Sequence, residues 1–201
     1  MKKFEILQLK KGLHLMATTS EKNRPAGYIP EECLLEYFQR PNITTPFIEL
    51  VIYRRQAGRF EYLYQNRNDK WWKGFCAYGS MVRKSHPASP VEIAQKAMDR
   101  EFKGLGLVVK SLQIVSSLHW RKHPWCNPFA TVYLVRVLGD VPETSDRKWI
   151  SADNMPKNMV MNHGLYILQC EYFLSSGPLI FTPEEPDGLP KNFRKQFKEK
   201  L

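Results

Sequence analysis

The chain has 201 residues and a mass of 23.6 kDa, a size that suits one hydrophobic core. Hydrophobic residues make up 43%, aromatics 12% and charged residues 25%, a globular composition that excludes a wholly disordered, collagen-like or fibrous chain. The net charge of +10 belongs to the ends: residues 1–24 hold six basic against two acidic residues and residues 191–201 five against one, which leaves +2 for the body. This distribution favours a nearly neutral domain with two basic arms over a continuous phosphate-tracking groove.

No apolar run reaches the length of a membrane span, and charges interrupt residues 1–10 before a signal-peptide apolar region can build up. Cys33, Cys76, Cys126 and Cys170 lie far apart with no C-x-x-C pair, so neither a zinc site nor a disulfide framework is indicated. The expectation is a reduced, cytoplasmic protein with a basic extension over 1–24, a domain over 25–180 and a basic tail over 181–201.

Pro30 followed by Glu31 and Glu32 opens a short helix that Pro41 stops. The β-branched and aromatic run from Phe47 to Tyr53, a turn at Gln56 to Arg59, and Phe60 to Tyr64 predict a hairpin. Trp72 to Val82 reads as a further strand, interrupted by Gly74 and Gly79. Ser89-Pro90-Val91-Glu92 marks a helix start, with the helix running to about Lys103 before Gly104 or Gly106 ends it. Strands over 108–120 and 128–137 follow, then a short one at Lys148 to Ile150 and a helix over 162–173. The order predicts an α+β fold, a mixed β-sheet sandwiched between helices. There is no internal repeat.

On a helical wheel, residues 91–105 divide into a polar arc with Lys96, Asp99, Arg100 and Lys103 and an apolar arc with Ile93, Ala94, Ala97, Met98 and Phe102. Glu101 falls near the centre of the apolar arc. A carboxylate buried there has to be paired with a cation, bound to metal, or protonated; the structural alternative is an ion pair with a buried arginine or lysine, or a carboxylate that reaches an edge of the interface.

The order of elements and these local motifs resemble the Nudix hydrolase family. Tyr78-Gly79-Ser80 stands where the family has its glycine-rich loop, Ser89 to Ala94 resembles the helix start, and Gly106-Leu107 the closing pair. Asp146 to Ser151 resembles the strand before the family's last helix. The resemblance implies a Nudix-type hydrolase that cleaves a diphosphate linkage in a nucleoside diphosphate derivative, with Mg²⁺ or Mn²⁺ held by clustered carboxylates. The box itself is degenerate. Aligned from the helix start, Lys96 and Ala97 replace the arginine–glutamate pair, and of the two later glutamates only Glu101 remains, with Arg100 in the other place. Aligned from Gly106-Leu107, Asp99, Arg100, Lys103 and Gly104 take the four positions and no box glutamate is matched. The first alignment is preferred because it puts the surviving carboxylate on the face turned from solvent. Glu101 is then the candidate metal ligand and catalytic group.

His119, His123 and His163 are candidate bases, and His123 comes first because it lies in a loop with Pro124 and Trp125. Trp71, Trp72, Trp120, Trp125 and Tyr78 are candidate stacking residues. Trp125 is the foremost ligand contact, while Trp72 and Tyr78 read better as core or strand-face aromatics. Gly79 lets the chain approach phosphate, and Arg67 and Arg83 are the cations that would grip it. Phe193, Phe197 and Leu201 give the tail a short basic amphipathic helix that can dock on its own domain, a partner, nucleic acid or an anionic membrane. Two functions stay open. One is the hydrolase; the other is a module without hydrolysis that binds a nucleotide, RNA or a protein partner. A nucleotide-type small molecule is the expected ligand, RNA or another polyanion the expected partner of the basic ends, and a homodimer is compatible with both.

Overall fold

The computed structural model describes residues 44–69, 72–81, 89–120 and 128–197. The helix read at Pro30 and the N-terminal basic arm lie outside them. Among the described residues seven strands form one mixed sheet: β1 (Thr45–Gln56), β2 (Arg59–Asn68), β3 (Lys73–Cys76), β4 (Tyr78–Met81), β5 (Val108–His119), β6 (Pro128–Leu138) and β7 (Arg147–Ile150). The helices are α1 (Pro90–Glu101), α2 (His163–Ser176) and α3 (Lys191–Gln196), with a 3₁₀ turn at Ala152–Asn154. The fold is α+β. No helix among the described residues is long and apolar enough to cross a membrane.

The sheet runs β3-β2-β1-β6-β5, with β1 and β6 parallel and the other pairings antiparallel. β1 is shared at one edge: its first half pairs with β4, from Phe47 against Met81 to Leu50 against Tyr78, and its second half with β2. β3 pairs with β2 instead. The stretch read from sequence as one strand over 72–82 therefore changes partner at Ala77, and its two glycines are not where it breaks. The crossing releases Ala77 N–H from the ladder, and Nδ1 of His163 accepts it at 3.0 Å.

Alternation along β1 decides which helix each residue meets. Ile48, Leu50 and Ile52 face α1 and bury Ile93, Ala94, Ala97 and Met98. Val51, with Tyr62 and Tyr64 of β2, faces α2 and packs on Tyr166, Ile167 and Cys170. α2 is apolar around most of its circumference because its outer side is covered as well. Leu189 and Phe197 are buried in that same cluster, and Phe193 meets Tyr172 with ring centroids 5.3 Å apart. The amphipathic helix read at the C-terminus thus docks on its own domain.

α1 starts where Ser89-Pro90 places it but ends at Glu101, two residues before the expected Lys103. Phe102 leaves the helix to pack on Tyr78, with ring centroids 4.8 Å apart, and is buried. Glu101 is correspondingly not buried; it is exposed, and its carboxylate pairs with Arg100 at 2.7 Å. A wheel gives the direction of a side chain around the axis, and the covering surface runs out beneath the last turn.

Candidate functional site

Glu49 is the one charged residue in the run Phe47 to Tyr53, and the pleat puts it on the α2 face between Phe47 and Val51. It is only 5% exposed. Its ladder partner is Gly79, and a Cβ built there would stand 2.7 Å from Glu49 Oε2, so the carboxyl occupies the space that a side chain at 79 would need. Around this pair opens a small cavity of about 110 Å³, open to solvent at its mouth. Gln65 and Arg67 enter it from β2, Cys76 and Ala77 from the partner change, His163 from the first turn of α2, and Trp72 and Trp120 flank it.

Hydrogen bonds fix most of these walls. Asp69 accepts from Arg67 Nε at 2.6 Å and from the Trp72 backbone N–H at 2.8 Å, which ties the guanidinium to the start of the segment that carries Trp72. Trp120 Nε1 donates to the Tyr166 hydroxyl at 2.6 Å, and its ring meets the His163 ring edge-on at 5.1 Å. Because His163 Nδ1 accepts from Ala77, the neutral imidazole carries its proton on Nε2. Tyr64 donates to the His163 carbonyl at 2.9 Å and anchors the start of α2.

Burial pushes the Glu49 carboxyl well above the usual carboxylate range, and the Arg67 cation only partly opposes it. Burial also pushes the Cys76 thiol up to about 12, so this cysteine is no thiolate nucleophile at neutral pH. The pocket therefore offers a carboxyl whose charge is opposed by burial, a cation and aromatic rings. Such a set suits a ligand with a planar polar part and an anionic part.

The structure brings Gly79 and Arg67 together in this pocket, and adds His163, Trp72 and Trp120 from the wider candidates. Trp72 and Trp120 line it while also packing edge to face, 6.4 Å apart. Tyr78, one residue from Gly79, belongs to the opposite face and to α1. Arg83, His123 and Trp125 lie outside the described residues. His119, at the end of β5, is not part of the pocket lining. Glu101 is not either; it stands at the end of α1, on the sheet's other side. Glu49 was not singled out from the sequence, although a lone acid in a β-branched and aromatic run was a readable signal.

Among the described residues no group of three or more His, Cys, Asp or Glu side chains could hold a metal ion. The internal segments outside them, 70–71, 82–88 and 121–127, contain no Asp or Glu. Among the described residues the donor set therefore does not fit the Mg²⁺ or Mn²⁺ that the family resemblance implies, since a hard cation requires several oxygen ligands.

No protein-family model matches the chain, and no curated protein matches it. Solved structures do. A MutT/Nudix family protein from Enterococcus faecalis superposes with a TM-score of 0.54 at 13% identity, covering 91% of each chain. The Nudix domain of Shewanella oneidensis NrtR, complexed with ADP ribose, gives 0.51 at 12% identity over 73% of this chain and 99% of that one. NrtR complexed with a 27mer DNA gives 0.51 at 12% identity over 76% and 82%. The fold is that of the Nudix domain.

Proposed function

We propose that this chain, built on the Nudix fold, binds a nucleoside diphosphate derivative in the pocket over Glu49 and Gly79. The observation that carries the reading is the convergence of Arg67, the two indoles and the buried Glu49 carboxyl on one cavity. Every base has a π face, and stacking it on an aromatic side chain contributes about 1–3 kcal/mol. A guanidinium has five N–H donors in a fork that matches phosphate oxygens, and Asp69 holds that fork at the pocket wall. The fold shared with a Nudix domain complexed with ADP ribose supports the same ligand class.

Hydrolysis of the diphosphate is the second reading. Glu101 favours it, as the carboxylate retained on the helix that resembles the family's box. It is a single carboxylate already paired with Arg100 on the far side of the sheet, so binding without metal is preferred.

The test is calorimetric titration with ADP ribose, nucleoside diphosphate sugars, dinucleotides and capped RNA in a chelator. Mg²⁺ or Mn²⁺ is then added and phosphate or nucleotide release is read. Binding in the chelator with no release is expected. Metal-dependent release that Glu101→Gln abolishes would replace this reading with the hydrolase, and no binding of any compound would overturn both.

A further inference from the structure

Glu49 is 5% exposed as a residue, and among the described residues no hydrogen bond reaches its carboxyl, whose oxygens face the cavity. The carboxyl lies directly against Gly79. A buried carboxyl without hydrogen bonds is costly, and a protein that only needed bulk there would do better with leucine or methionine. The group is aimed where a ligand would satisfy it.

We infer that Glu49 is a ligand-binding residue of this pocket, meeting the polar edge of the ligand's base with a donor and an acceptor placed side by side. This rests on the proposed nucleotide pocket and names what this residue contacts there. An uncharged carboxyl has one O–H donor and one carbonyl acceptor about 2.2 Å apart, and an ionised one has two acceptors. The first complements an edge that carries an acceptor beside a donor, as adenine, cytosine, or the lactam of uracil, hypoxanthine and guanine does. The second complements two adjacent donors, the pattern of guanine's N1 and N2. The surroundings favour the first form. Burial opposes its charge, and Tyr64, Tyr166 and Cys76 stand close enough that a charge on Glu49 would raise their own pKa values. Arg67 on β2 opposes this from the mouth, tied to Asp69; His163 of α2, its Nδ1 accepting from Ala77, completes the titratable surround.

Glutamine separates the two forms, because its amide also carries one donor and one acceptor. The experiment titrates wild type, Glu49→Gln and Glu49→Leu with ADP, CDP, GDP and UDP by calorimetry in a chelator, from pH 5 to 9. Thermal unfolding of each variant is recorded alongside. Expected is that at least one of the four binds wild type, that Leu weakens it by about 10²-fold, and that Gln restores it to within about threefold. Wild-type affinity should fall as the pH rises through the titration of Glu49, and Glu49→Gln should lose that dependence. A merely structural role would move unfolding temperature but not this pH profile. If Gln binds as poorly as Leu while staying folded, the carboxylate acts ionised and the inference is overturned although the pocket reading stands. Unchanged affinity in Leu also overturns it. Should Leu fail to fold, the pH profiles of wild type and Gln decide alone. If none of the four binds wild type, the pocket reading fails first and the inference with it.

Discussion

Glu49 Oε2 lies 2.7 Å from the point where a Cβ on Gly79 would stand, which makes the glycine and the buried carboxyl a single feature of the sheet. A real Cβ does not tolerate that distance, and the carboxyl would have to move into the cavity. Gly79→Ala is therefore expected to reduce nucleotide affinity at least tenfold, with a stability loss of about 1–3 kcal/mol, the scale of overpacking. Calorimetry and urea unfolding on one preparation check it; unchanged affinity would detach Gly79 from the pocket.

The raised pKa of Glu49 also sets a pH dependence of stability. The folded state holds this proton more tightly than the unfolded chain does, so its stabilising contribution is complete below about pH 4.5 and is lost as the pH rises through the folded value. Glutamine does not titrate. The stability of Glu49→Gln relative to wild type should therefore increase with pH above about 4.5, whereas Glu171, also raised by burial, is present in both and cancels. Urea unfolding of the two proteins between pH 4 and pH 8 measures the difference. A difference that stays flat would show that the carboxyl is not held neutral by the fold.

Glu101→Gln is expected to change stability by no more than about 1 kcal/mol, because it removes a pair at the exposed end of α1. A buried ion pair would have shown about 3–5 kcal/mol. If the same variant lost metal-dependent turnover of roughly 10²-fold or more, Glu101 would return to the mechanism as an acid–base group or metal ligand.

The basic C-terminus combines two roles that truncation alone would confuse. Phe197 is buried on α2, and Phe197→Ala should destabilise the domain by about 3 kcal/mol. Lys191 and Lys195 are exposed, so Lys191→Gln with Lys195→Gln should leave the unfolding temperature in place. We propose that these charges, with those of residues 1–24, attract RNA or another polyanion. Retention on RNA should then weaken in the double variant and show a shallower salt dependence. Equal retention at every salt concentration would make the charge solubilising only.

Much of this architecture was legible residue by residue. The β-branched and aromatic runs mark β1, β2, β5 and β6; Ser89-Pro90 marks the start of α1; the apolar stripe of Ile93, Ala94, Ala97 and Met98 marks the face it buries. These are local preferences and periodicities, carried by consecutive residues. The basic ends and the absence of a full set of box glutamates are likewise properties of the sequence alone. What only the tertiary structure decided are relationships between distant segments. Glu49, Arg67, Gly79 and His163 meet because β1 divides one edge between β2 and β4, and because α2 begins where Ala77 leaves the ladder. The burial of Glu101 failed for the complementary reason: helical spacing gives the direction of a side chain, whereas burial depends on whether another element extends beneath it, and at the last turn of α1 Phe102 takes that place.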